Sequence, residues 1–113
     1  MTTKPRTAGT LIARRLKEAR TALGLSQRNL GIKAGFDPSV ASARVNQYER
    51  SKHAPHFRVV SKMAEVLGLP AAYFYATDDD LAHVIRAFAQ LQKKQKTKLQ
   101  TLIELLQTSN KAK

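Results

Sequence analysis

Ser26-Gln27-Arg28-Asn29-Leu30-Gly31-Ile32-Lys33-Ala34-Gly35 reads as a short helix with a serine cap at one end and a glycine stop at the other. Ser26 offers a side-chain oxygen to an orphan backbone N–H of the first turn. Leu30 and Ala34 share a face, and Gly35 stands where a left-handed residue ends a helix. A second start signal follows at once in Asp37-Pro38-Ser39. Aspartate accepts from unpaired N–H groups, and proline at the first helical position lacks only an N–H without an intrahelical partner. The spacing predicts a third helix from Pro38 to Glu49. Two short helices joined across a glycine begin a helix-turn-helix.

Working outward, Ile12, Leu16, Ala19 and Leu23 recur at helical spacing after Thr10, a cap residue, while Arg14, Arg15, Lys17, Glu18 and Arg20 take the other faces. This predicts a first helix that stops at Gly24. Phe36 is expected to fall inward from the turn. In the third helix Ala41, Val45 and Tyr48 define a buried stripe, leaving Ser39, Ser42, Ala43, Arg44, Asn46 and Gln47 on the remaining surface.

Beyond a polar loop from Arg50 to Pro55, the positions Phe57, Val60, Met63, Ala64 and Leu67 predict a fourth helix closed by Gly68. Leu69-Pro70 opens a short fifth helix through Tyr75. Asp78, Asp79 and Asp80 precede Leu81, Val84, Ile85, Phe88 and Leu91, so their charge complements the positive end of a sixth helix. After the basic stretch Gln92 to Lys98, Leu99, Leu102, Ile103, Leu105 and Leu106 predict a last helix. Its apolar face must pack back on the core, pair with another copy or receive a different partner, and pairing is the expectation.

Charge narrows the partner. The chain has 113 residues with 20 Lys plus Arg against 8 Asp plus Glu, a formal net charge of +12. Residues 1–76 hold 13 of the basic and 4 of the acidic side chains, so the excess sits with the helix-turn-helix. A basic surface beside a helix that fits a groove points to double-stranded DNA. The expected organisation is a flexible basic arm over residues 1–9, a DNA-binding domain over 10–76 and a C-terminal helical extension over 77–113 that promotes dimerisation.

Other classes find little support. With no Cys there are no disulfides or thiolate metal sites, and a reducing, cytoplasmic compartment fits. No secretory signal pattern is visible, and the apolar stretches fall far short of the roughly 20 residues that cross a bilayer. His53 and His56 flank a proline-containing loop and His83 lies in another helix, a pattern without metal-ligand spacing. Three adjacent acids with no ligand-bearing loop after them read as a helix start rather than a cation site. Ser26, Ser42 and Ser61 have no nucleophile setting and there is no glycine-rich phosphate loop, so neither an enzyme nor a cofactor is expected.

Residues 11–75 resemble the phage-repressor and Cro-like helix-turn-helix family, the XRE family. The resemblance rests on Leu25-Ser26-Gln27 opening the second helix, Leu30, Ala34-Gly35 at the turn and Tyr48-Glu49 closing the third helix. It continues with Pro55 before the fourth helix and Ala64-Glu65-Val66-Leu67-Gly68 closing it. It implies an all-α, five-helix lambda-repressor-like domain, here with a C-terminal helical extension. Gly31 stands where the family usually has alanine. It keeps the volume small at the close approach of helices two and three, at about 1 kcal/mol in helix propensity.

The segment between Gly35 and Glu49 is longer than the family pattern. Aligned forward, the recognition positions would be Pro38 to Ala41. Aligned backward from Tyr48-Glu49, Val45 falls at the buried position, and Ser42, Ala43, Arg44 and Gln47 fall where recognition residues sit. The backward register puts Ala41, Val45 and Tyr48 on one inward face and is preferred. Arginine donates bidentately to guanine, and glutamine or asparagine to adenine. The expected base contacts are therefore Ser42, Ala43, Arg44, Asn46 and Gln47. Gln27 and Arg28, in the first turn of helix two, with Lys52 and His53 in the following loop, are the expected phosphate contacts. These residues predict a sequence-specific transcriptional regulator, a repressor acting as a homodimer. The alternative is an antitoxin or anti-regulator whose C-terminal helix binds a protein partner, with DNA binding autoregulatory.

Overall fold

Leu11, Ile12, Leu16 and Ala19 line one side of α1 (Ala8–Ala22) and are buried. The computed structural model describes residues 8–111, with side chains from residue 10. Thr10 lies inside α1 rather than capping it, because the helix already runs from Ala8. Of the expected basic arm, residues 1–7 lie outside the described residues. Gly24, at φ +70°, turns the chain after α1, and Leu23, expected on the inward stripe, lies beyond the helix end and is exposed.

The second helix, α2 (Gln27–Lys33), begins as its sequence dictates, with Ser26 Oγ accepting from Asn29 N–H at 2.9 Å. Gly35, at φ +98°, reverses the chain, and Phe36 N–H then donates to the Gly31 carbonyl at 2.9 Å. Phe36 is buried.

The third helix, α3, spans Ala41–Glu49, not Pro38–Glu49. Asp37 explains the difference. Its Oδ1 accepts from Ser39 N–H at 2.8 Å and from Ser39 Oγ at 2.6 Å, and Val40 N–H donates to the Asp37 carbonyl at 3.0 Å. The carboxylate is thus spent closing a tight turn on itself, and its two hydrogen bonds to Ser39 hold its pKa below the usual carboxylate range. The helix starts only after that turn, with Ala41, Val45 and Tyr48 facing the core.

Helix α4 (Phe57–Leu67) ends at Gly68, φ +71°, with Val60, Met63, Ala64 and Leu67 buried. Phe57, expected in that stripe, is largely exposed and lies beside Tyr75, ring centroids 6.0 Å apart. A 3-10 helix over Ala71–Tyr75 buries Tyr73 and Phe74 against α1 and α4. Asp78 caps α5 (Asp79–Ala89) by accepting from Asp80 N–H at 3.0 Å.

Arg15, 3% exposed, ties the first helix to this corner: Nη2 and Nε donate to the Ala76 carbonyl at 2.6 and 3.1 Å, and Nη2 also to Asp79 at 3.0 Å. Helix α6 (Lys93–Lys111) begins six residues before its first leucine. Gln95 reaches back to accept from Gln92 N–H at 2.9 Å, which starts the helix within the basic stretch. None of the residues of α6 is buried. Among the described residues no helix is long and apolar enough to cross a membrane, and no His, Cys, Asp and Glu cluster has the arrangement of a metal site.

Candidate nucleic-acid interface

The geometry of α2 against α3 starts from a missing side chain. A Cβ on Gly31 would lie 2.8 Å from Ala41 Cβ and 2.9 Å from the Ala41 carbonyl oxygen, closer than real atoms come. Glycine lets the two backbones meet there, and Ala41 at the head of α3 is completely buried.

The other end of α3 is held by charge. Arg20 of α1 donates from Nε and Nη2 to the two carboxylate oxygens of Glu49, at 2.6 and 3.0 Å, and from Nη1 to the Leu25 carbonyl at 2.8 Å. The Glu49 side chain is 2% exposed. Gln27 completes the network: its Nε2 donates to Glu49 Oε1 at 3.0 Å and to Asn46 Oδ1 at 3.2 Å. Three helices converge on one carboxylate, so α3 is fixed at both ends.

Each residue expected at the interface has a definite place. Ser42, Ala43 and Gln47 lie exposed on the outer face of α3. Asn46 is half-buried and joined to Gln27, so this pair bridges the expected base and phosphate contacts. Arg44 is half-buried, its Cζ 4.2 Å from the Phe36 ring centroid and 5.9 Å from that of Tyr48, and its Nη2 donates to Tyr48 Oη at 2.8 Å. The two rings meet edge to face, 6.3 Å apart.

Arg28 is exposed in the first turn of α2, where backbone N–H groups and the helix dipole favour an anion. Lys52 and His53 are exposed after α3, in a loop that Ser51 turns at φ 60° and that Lys52 N–H anchors to the Gln47 carbonyl at 2.9 Å.

Arg20, expected on the polar faces of the first helix, instead turns onto Glu49, and neither Glu49 nor Phe36 is assigned a part in the interface from sequence. A signal for the first two was present. Arg20 lies four residues after Leu16, and Glu49 four after Val45, so both charges fall on inward stripes where only a partner makes them tolerable. Phe36 was expected inside, but its role beneath Arg44 depends on the turn geometry, which no spacing reveals.

A helix-turn-helix family model matches residues 16–74. The chain belongs to the XRE-type helix-turn-helix family. Among solved structures, the helix-turn-helix chain is similar to the crystal structure of the transcriptional regulator BswR, at 42% identity and a TM-score of 0.81, over 86% of this chain and 96% of that one. No curated protein matches it. The match extends beyond the helix-turn-helix, and the fold is all-α with a C-terminal helix.

Proposed function

We propose that this protein is a sequence-specific DNA-binding transcriptional regulator that places α3 in the major groove. The observation that carries the reading is the two-ended fixing of α3, by Gly31 against Ala41 and by Arg20 on Glu49, with Ser42, Ala43 and Gln47 left on its outer face. A reader of base edges needs that rigidity, because hydrogen bonds discriminate bases only when their donors are correctly placed. Arg44, Asn46 and Gln47 supply the donors. Arg28, Lys52 and His53 set register through phosphates, whereas the Gln27 amide, expected on a phosphate, has both N–H donors turned to Glu49 and Asn46 and holds α2 to α3. Similarity to a transcriptional regulator supports the same role, and repression follows most simply, since an occupied site excludes other proteins.

Selecting bound duplexes from a random pool, then titrating Gln47→Ala and Arg44→Ala against base-pair variants of the winner, tests this. Loss confined to particular base pairs is expected. Equal weakening on every duplex would overturn base reading by α3.

The protein works as a homodimer through α6. Leu102, Ile103 and Leu106 are about half exposed on a helix with no buried residue, an apolar face that a partner surface would cover. Leu81 and Val84 of α5 are equally bare, beside an apolar cavity of about 450 Å³ lined by Pro70, Val84, Ile85, Phe88, Ala89 and Lys96. Two-fold pairing would set half-sites about 34 to 36 Å apart or a multiple. The antitoxin or anti-regulator reading uses the same α6 face for a different protein. Sedimentation equilibrium of the purified chain decides: a dimer that Leu102→Lys dissociates supports pairing, and a monomer at micromolar concentration contradicts it.

A further inference from the structure

We infer that Phe36 and Tyr48 are positioning residues for base recognition, holding the Arg44 guanidinium in a preset orientation before DNA arrives. The inference rests on the proposed role of α3, with Arg44 among its base contacts.

The arginine sits over the Phe36 ring at 4.2 Å and is pinned from the side by the Tyr48 hydroxyl at 2.8 Å. Such a site is specific to arginine. A planar guanidinium lies on an aromatic face and still carries its N–H donors around the edge, which a lysine ammonium does not. Of its five donors, one is committed to Tyr48 Oη. The others stay on the rim of the plane, where a bidentate contact to guanine is made.

Holding the side chain in advance matters because a free arginine gives up most of its rotamer freedom when it docks. One already fixed has given it up on folding, so the contact forms at smaller cost and only in one direction. The two aromatic residues are themselves well held. Both are buried, they meet edge to face, and Tyr48 belongs to the inward stripe of α3 while Phe36 leaves the glycine turn. The clamp therefore joins the turn to the recognition helix through the side chain that reads the base.

The test compares Arg44→Ala, Tyr48→Phe and Phe36→Leu on a selected duplex, on its single base-pair variants and on an unrelated duplex. Tyr48→Phe keeps the ring and the core packing. It is expected to lower the preference at the base pair read by Arg44 by about 3- to 10-fold, leaving the helical content, affinity for unrelated DNA and the preference due to Gln47 unchanged. Phe36→Leu is expected to lower the same preference further. A Tyr48→Phe protein with full preference there, or with equal loss at every position, overturns the clamp. If instead Arg44→Ala moves no base preference, the base-contact role of Arg44 fails first, a result visible without either clamp variant.

Discussion

Arg20 and Glu49, 29 residues apart in the chain, form a two-pronged ion pair at 2.6 and 3.0 Å that is almost closed to solvent. Exposed pairs contribute little, but removing one member of a buried pair strands the other. Arg20→Met is expected to destabilise the fold by about 3 to 5 kcal/mol, measured by urea unfolding. Adding Glu49→Leu should recover much of that loss. A single-variant effect of a few tenths would show that water reaches the pair.

Gly31→Ala sets two effects against each other. Alanine in mid-helix gains about 1 kcal/mol of propensity, but its Cβ would strike Ala41, including the backbone oxygen at 2.9 Å. Forced overlaps in packed regions cost about 1 to 3 kcal/mol, and backbone cannot step aside as a flexible side chain can. Net destabilisation is expected, visible as a lower unfolding midpoint. A raised midpoint would mean that α2 and α3 separate easily.

Acid should weaken the corner where α5 meets α1. Hydrogen bonds from Arg14 and then Arg15, with their charges, hold the Asp79 carboxyl below its ordinary pKa. A depressed pKa in the folded state adds stability above the unfolded value, near 4, and that part is lost as pH falls through the folded value. The melting-temperature gap between wild type and Asp79→Asn should hold steady near neutrality and close on acidification below about pH 4. A gap that widens on acidification would contradict this sign.

Phosphate contacts leave a signature in salt. If Lys52 touches the DNA backbone, Lys52→Ala should make the slope of log affinity against log salt shallower by about 0.9. The loss should be alike on selected and random duplexes. An unchanged slope removes Lys52 from the footprint, and Arg28→Ala answers the same question for the start of α2.

Local chemistry made much of the fold legible. Ser26 reads as a cap, the run Asp78 to Asp80 as a helix start, and Gly24, Gly35 and Gly68 as stops, and each holds because its effect involves only adjacent backbone. Ala41, Val45 and Tyr48 were read as one inward face from periodicity alone, and they are buried. Misreadings arose where one side chain has two local uses. Asp37 closes a turn instead of capping a helix, and Gln95 starts α6 within the basic stretch expected to precede it. Phe57 follows helical spacing but lies largely exposed beside Tyr75. At the candidate interface, the outward placement of Ser42, Ala43 and Gln47 followed from the stripe opposite them. The Arg44 stack and the links from Gln27 to Asn46 and Glu49 are tertiary, and they depend on distances that spacing along a chain does not contain.

The self-contained turn Asp37–Val40 separates loop length from helix phase. Because those residues close on one another before Ala41 locks onto Gly31, lengthening or trimming that turn would leave Ser42 and Gln47 at the same angular setting about the helix axis. The linker can drift over evolutionary time while the face offered to the groove keeps its bearing.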